Sequence, residues 1–223
     1  MARRRRRSHT VFATRSVASG RIRVVDYRTE RRLVVNGEIL SVYPLDGDWS
    51  RVRREYWGRA LSVSVLPRRP SVLLVGLGGG TQIHLLQSLA RPRLVTVIER
   101  DPAIVRVAAD WFDLAAAGPM EILCAEASVA VRALACARRR FDFVMEDAAY
   151  AQEPGRALAL ARALVPLVGS RGALVLNRHR RGDARRTATA LRPRFREVRF
   201  RLVRRGGENA LVSCRGRLAK SIK

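Results

Sequence analysis

A chain of 223 residues, 48% of them hydrophobic, is long enough for one α/β domain with a small appendage and too short for two large domains. No apolar stretch approaches the ~18 uncharged residues that a membrane span needs, so no membrane partner is expected, and Cys124, Cys136 and Cys214 are odd in number and lack metal-ligand spacing, which argues against a disulfide framework and a zinc site. The net charge of +25 belongs to the two ends: residues 1–70 hold 17 arginines against 6 acids, residues 71–170 hold 10 against 10, and residues 171–223 hold 17 basic residues against 3 acids.

Residues 1–20 read as a disordered basic tail. Their arginines are followed by no continuous apolar core, so a secretory signal is not expected; the absence of an acid before Asp26 leaves a mitochondrial presequence as the other reading. The expected compartment is the reducing cytosol. From residue 21 to 44 the pattern is short and alternating, RIRVVDY, RRLVV, EILSVYP, and Asn36-Gly37 between the last two runs is a hairpin signal. A small antiparallel meander of two or three strands follows. Asp46-Gly47-Asp48 supplies a turn and a helix N-cap, and residues 49–61 form a helix with Val52, Tyr56 and Leu61 on one side. Pro67 and Pro70 close this segment, so the chain divides into a tail (1–20), a meander plus helix (21–66) and a larger domain (67–223).

Beyond Ser71 strand and helix alternate, which implies a parallel sheet. The expected strands are 72–75, 94–98, 120–124, 141–146 and 172–176, and the expected helices are 81–90, 102–112, 127–138, 154–167 and 183–191. REVRFRLV and ENALVSC then read as an antiparallel hairpin that closes the sheet edge. The fold class is therefore α/β: a doubly wound, mostly parallel seven-stranded sheet of Rossmann-like type with a small β meander in front.

The segment SVLLVGLGGG breaks an apolar run of strand length into glycines ahead of a helix. Gly76, Gly78 and Gly80 can take positive φ and admit a ligand close to the backbone. Glu99 ends the next strand, LVTVIER, where a carboxylate can accept hydrogen bonds from both hydroxyls of a ribose. This pairing points to a nucleoside, with a nicotinamide dinucleotide still open. The loop lacks the Lys-Ser/Thr of a nucleoside triphosphatase, and no Ser-His-Asp ordering appears. His84 reads as a helix-face residue, and His179 as a surface-loop histidine or a residue at the mouth of the site.

The chain resembles the spermidine synthase-like family, whose catalytic domain is the class I S-adenosylmethionine-dependent methyltransferase fold behind a β meander. RRLVVNGEIL is similar to the family's hairpin, VLLVGLGGGT to its glycine loop, TVIERDPAIVRVA to its ribose-binding strand and helix, and FDFVMED to the strand carrying its catalytic aspartate. The resemblance implies S-adenosylmethionine or decarboxylated S-adenosylmethionine as cofactor. It assigns Gly76, Gly78 and Gly80 to the amino-acid side of the nucleoside, Glu99 to its ribose and Glu126 to the adenine amino group. Asp147 is then the base or amine anchor, and Tyr150 an acceptor-binding residue. Read from its neighbours alone, Glu126 is also a candidate N-cap for the helix after it, and Glu146 and Asp147 are candidate loop caps. The implied acceptor is a small-molecule amine or another nucleophile, with a homodimer as an admissible assembly.

Three departures from the family bear on that acceptor. Gly79 stands where spermidine synthases carry an aspartate, Tyr150 where they carry a second one, and Leu40 where a glutamine faces the polyamine. Each removes a polar partner for a cationic amine. A different class of reading makes the protein a non-catalytic nucleoside-fold module whose basic flanks bind RNA or another polyanion. Against it stands a compositional bias to arginine, Lys220 and Lys223 being the only lysines.

Overall fold

The computed structural model describes residues 8–63, 65–148, 154–203 and 209–218. An antiparallel four-stranded meander comes first, with strands β1 (His9–Ser16), β2 (Gly20–Asp26), β3 (Glu30–Val35) and β4 (Glu38–Pro44) in that spatial order. This corrects the reading of residues 1–20 as tail, because His9–Ser16 pairs with β2 from His9↔Asp26 to Ser16↔Gly20. The strand escapes sequence reading because it is an edge: none of its residues is fully buried, so it carries little of the alternation that marks a half-buried strand. Asn36 and Gly37 both take positive φ in the β3–β4 turn, as Asn-Gly in a hairpin requires.

The expected helix over 49–61 is two short ones, α1 (Ser50–Arg54) and α2 (Tyr56–Ser62), broken where Glu55 turns extended. A Cβ on Gly58 would stand 2.1 Å from the Arg53 carbonyl oxygen, so glycine there lets α2 fold back against the end of α1. Val52, Tyr56 and Leu61 do share a buried side.

The main sheet has seven strands: β5 (Ser71–Val75), β6 (Leu94–Glu99), β7 (Met120–Cys124), β8 (Phe141–Glu146), β9 (Val168–Arg178), β10 (Phe195–Val203) and β11 (Asn209–Arg217), in the order β10-β11-β9-β8-β5-β6-β7. The five from β7 to β9 run parallel, and β11 lies antiparallel between β9 and β10. All five residues of β5 are buried, as expected of a strand covered on both faces. One face meets α3 (Thr81–Ala90), α4 (Pro102–Trp111) and the meander in a shared core that includes Leu33, Val42, Leu74, Ile83 and Phe112. The other meets α5 (Ala127–Cys136), α6 (Pro154–Leu164) and α7 (Arg181–Leu191) around Leu73, Val144, Leu164 and Leu176. The strand order reverses at β5, which places the ends of β5 and β8 side by side at the switch point where open α/β sheets hold ligands.

No helix among the described residues is long and apolar enough to cross a membrane. Cys124 and Cys136 are exposed; Cys214 is buried, which pushes its thiol up to about 12.

Candidate active site

The glycine loop leaves β5 with Gly76, Gly78 and Gly80 at φ of 100°, 53° and 82°. A Cβ at Gly78 would lie 2.6 Å from Ser41 Oγ and one at Gly80 2.9 Å from Leu114 Cδ1, so the loop is pressed between β4 and the short 3-10 turn Leu114–Ala117. Ser41 Oγ accepts the Gly79 N–H at 2.6 Å, and Thr81 Oγ1 both donates to the Val42 carbonyl and accepts its N–H. The meander is thus a wall of the site. Gly79 itself faces Phe112 Cδ1 at 2.9 Å and Ser41 Cβ at 3.0 Å from where its Cβ would be. The space that an acidic side chain would need is filled by Phe112 and Ser41.

Glu99 stands half-buried at the tip of β6, with one carboxylate oxygen accepting the Leu77 N–H at 3.1 Å and the other the Asp101 N–H at 3.0 Å. Each oxygen keeps a further lone pair. Two backbone donors therefore fix the carboxylate while leaving it able to accept from two hydroxyls, which is the fit a ribose demands. Asp101 beneath it is buried, caps α4 through the Ala103 N–H at 2.9 Å, and accepts from Ser16 Oγ at 2.5 Å. That last hydrogen bond ties the end of β1 to the Glu99 side of the site. Glu126 follows β7, paired with β6 through Glu99↔Cys124, so both carboxylates lie at adjacent strand ends. Its side chain makes no capping hydrogen bond to α5 although it occupies the N-cap position.

Asp147 follows β8 directly, and its N–H donates to the Val75 carbonyl at 2.9 Å, which sets it beside Gly76. A Cβ on Gly76 would come within 3.5 Å of the Asp147 carbonyl carbon. Asn177 Nδ2 donates to Asp147 Oδ1 at 2.8 Å from the end of β9. Burial lifts the Asp147 carboxyl to about 6, opposed by Tyr56 and Asn177 beside it; Glu146 adds to the rise and Arg178 offsets it. Asn177 Oδ1 is buried without a hydrogen-bond partner among the described residues, and the equally buried Tyr56 hydroxyl faces the Asp147 carboxylate. Burial together with the Asp147 charge holds the Tyr56 phenol well above its ordinary range, so it stands as a neutral donor. A donor, an acceptor and a carboxylate of intermediate acidity are therefore gathered at one point, with the Tyr56 hydroxyl turned to the carboxylate and Asn177 Oδ1 left open. Buried polar groups left open in this way are costly unless a ligand meets them.

Beneath this cluster Arg178 Nη1 meets Glu146 Oε2 at 2.5 Å, both side chains almost fully buried. Arg178 also donates to the Asn177 and Ala157 carbonyls. Glu146 is thus part of a buried ion pair and not a loop cap. His179 is half-buried, its ring held below the usual histidine range by burial while the nearby Glu38 charge opposes the shift. His84 is no plain helix-face residue: it stacks on Trp49 at 5.2 Å, meets Tyr43 edge-on and approaches the Phe112 carbonyl through Nε2 at 2.8 Å. Tyr150 lies outside the described residues.

Sequence reasoning missed Tyr56, Asn177 and Ser41 as site residues. Tyr56 is one apolar-face residue of a helix, with nothing local to mark it. Asn177 did carry a signal, an amide at the carboxyl end of a strand beside the one that ends in Asp147, but pairing them requires knowing that β8 and β9 are neighbours. Gln82, the second residue of α3, is a further one: both its amide atoms are buried without partners among the described residues, just after the glycine loop. No group of three or more potential metal-ligating side chains occurs among the described residues.

No protein-family model and no curated protein sequence matches the chain. Solved structures do. Spermidine synthase from Thermotoga maritima superposes with a TM-score of 0.71 at 13% identity, covering 94% of this chain and 74% of that one. A spermidine synthase in complex with the transition-state analogue AdoDATO gives 0.70 at 14%, with the same coverage. Human methyltransferase-like protein 13 in complex with SAH gives 0.57 at 21% identity over 76% of this chain and 82% of its own. Together with the meander, the strand order and the glycine loop, these likenesses establish that the chain has the class I methyltransferase fold in its spermidine synthase-like form.

Proposed function

We propose that the protein is an S-adenosylmethionine-type alkyltransferase that moves a methyl or aminopropyl group onto an amine or another nucleophile. The observation that carries the reading is Asp147: a carboxyl raised to about 6 beside Gly76, hydrogen-bonded by Asn177 Nδ2 and faced by the Tyr56 hydroxyl, with Asn177 Oδ1 open beside it. Glu99 would hold the ribose, Glu126 the adenine amino group, and Gly76, Gly78 and Gly80 would let the amino-acid end of the nucleoside lie on the backbone with Gln82 in reach. Tyr150 would belong to the acceptor side.

A sulfonium donor supplies an activated carbon and a good leaving group. The protein then needs to place the acceptor and take its proton. As the acceptor nitrogen bonds to that carbon, the carbon–sulfur bond breaks with its electron pair left on sulfur, and the proton shed by nitrogen passes to Asp147. Asn177 Oδ1 and Tyr56 Oη orient the nitrogen. The packing around Gly79 supports S-adenosylmethionine over its decarboxylated form, and so methyl transfer: no protein carboxylate fits there to repel the α-carboxylate that only the intact donor carries.

Calorimetric titration with S-adenosylmethionine, its decarboxylated form and methylthioadenosine tests this. The intact donor should bind most tightly. Glu99→Ala should weaken it by about 100-fold or more, the loss of two charge-assisted hydrogen bonds. Unchanged affinity in that variant removes the nucleoside assignment, and tighter binding of the decarboxylated form turns the reading to aminopropyl transfer.

A further inference from the structure

A cleft of about 680 Å³ lies at the end of the sheet opposite Asp147. Two chain segments line it, residues 66–69 ahead of β5 and residues 87–92 over the end of α3, together with Pro119 ahead of β7. Because β5, β6 and β7 run parallel, these segments meet at the amino ends of the strands. The five residues of β5, about 16 Å, separate them from the glycine loop.

Arg68, Arg69 and Arg91 line this cleft and are exposed, and none has a carboxylate at ion-pair distance among the described residues. No acid lines the cleft. Two acids at this end of the sheet are engaged elsewhere, Asp142 with Ser71 and Arg93, and Glu121 with Thr96 and Arg139. Arg69 and Arg91 take φ of 52° and 48°, a backbone region that glycine or asparagine enters at less cost. Their N–H groups donate to the Ala90 and Gln87 carbonyls at 3.0 and 3.3 Å. The last turn of α3 is thus satisfied by the backbone of the two arginines, and both guanidinium groups are left for another partner.

The remaining lining is apolar apart from Gln87 and Ser88. Leu89 is 51% exposed, and Leu66 stands on the other segment. Gly118 leaves room for the Gln87 side chain, since a Cβ there would stand 2.8 Å from Gln87 Oε1. The Gln87 amide, a donor and an acceptor together, makes no hydrogen bond among the described residues. Small organic ligands fill clefts of roughly 300–1,000 Å³, so this one is larger than a single phosphate needs. Three unpaired guanidinium groups, an apolar wall and one open amide suit a ligand with several phosphates and a flat body that has a polar edge. Guanidinium groups grip phosphate oxygens two at a time.

We propose that this cleft binds a nucleoside triphosphate, its phosphates on Arg68, Arg69 and Arg91, its base against Leu66 and Leu89 and the Gln87 amide at the edge of the base. The site is separate from the glycine loop and does not depend on the transferase reading.

Calorimetric titration of the full chain with GTP, UTP and inorganic triphosphate tests this. Adenine nucleotides are left out because the glycine loop offers an adenosyl group a second place to bind. At least one nucleotide should bind about tenfold more tightly than inorganic triphosphate. Arg68→Ser/Arg69→Asn/Arg91→Asn, in which asparagine suits the left-handed backbone, should weaken nucleotide and triphosphate alike by about 100-fold or more. Arg68→Ser alone should weaken both about tenfold, and it reads the same contact should the triple variant fail to fold. Leu89→Ser should weaken the nucleotide about threefold to tenfold and leave triphosphate unchanged. Glu99→Ala should change neither. The proposal is overturned by absence of nucleotide binding, by equal binding of triphosphate, or by arginine variants without effect. It is also overturned if nucleotide affinity is lost in Glu99→Ala and kept in Arg68→Ser, which puts the ligand at the glycine loop. A single-stranded RNA of about 12 nucleotides that binds more tightly than either nucleotide and is lost in the arginine variants assigns the cleft to a polyanion chain, and overturns it too.

Discussion

Asn177 Nδ2 donates a hydrogen bond to Asp147 Oδ1 across the ends of β9 and β8, joining residues thirty positions apart. This bond links the parallel pairing of two strands to the acidity of one carboxyl. It favours the ionised form, whereas burial favours the protonated one, and burial prevails with a value of about 6. Transfer that uses Asp147 as base should rise with pH through about 6 and then level. Asn177→Leu removes the donor to the ionised form and should move that rise to higher pH. A pH–rate profile identical in the two proteins would mean that another group is being titrated.

Asp147 also couples function to stability. Its folded value of about 6 lies above the ordinary 3.8, so its stabilising contribution is complete below pH 4 and is lost as pH rises through 6. Asp147→Asn does not titrate. Relative to the wild type, it should gain up to about 3 kcal/mol between pH 4 and pH 7.5 in chemical denaturation, while transfer falls by about 10²- to 10⁴-fold. An equal pH dependence in both proteins would show the carboxyl to be unperturbed.

Gly79 cannot simply be returned to aspartate. Its Cβ would lie 2.9 Å from Phe112 Cδ1 and 3.0 Å from Ser41 Cβ, in a fully packed region. Gly79→Asp should cost about 1–3 kcal/mol by overpacking, seen as a fall of roughly 2–4 °C in Tm per kcal/mol. It should not create affinity for decarboxylated S-adenosylmethionine. A stable variant that gained such affinity would show that the loop has room after all.

The Arg178–Glu146 pair is buried on both sides, at 3% and 0% exposure. Arg178→Met leaves the Glu146 carboxylate buried without its cation and should cost about 3–5 kcal/mol in urea unfolding. Arg178→Met/Glu146→Leu should regain most of that loss, because an apolar pair of similar volume satisfies the space without charge. Additive losses in the double variant would mean that the two side chains act separately.

The alternation of strand and helix after Ser71, the terminal hairpin and the Asn36-Gly37 turn were all readable because each rests on local periodicity or turn chemistry. The glycine loop and Glu99 were readable for the same reason: their relation depends on one βαβ step of nearly constant length. The segment His9–Ser16 was not, since an edge strand buries too little to show its period, and the break at Glu55 was hidden inside a continuous helical pattern.

The sequence by itself determined the fold class, the glycine loop with Glu99 at the next strand end, and the place of Asp147 just after a central strand. Only the tertiary structure decided what surrounds Asp147. Tyr56, Asn177 and Arg178 reach it because β8 lies between β5 and β9 and the meander packs over one sheet face. Those neighbours are far apart along the chain, and their meeting depends on strand order and layer packing, which local periodicity does not encode. Packing likewise closed the space beside Gly79, through Phe112 and Ser41 brought from two other elements.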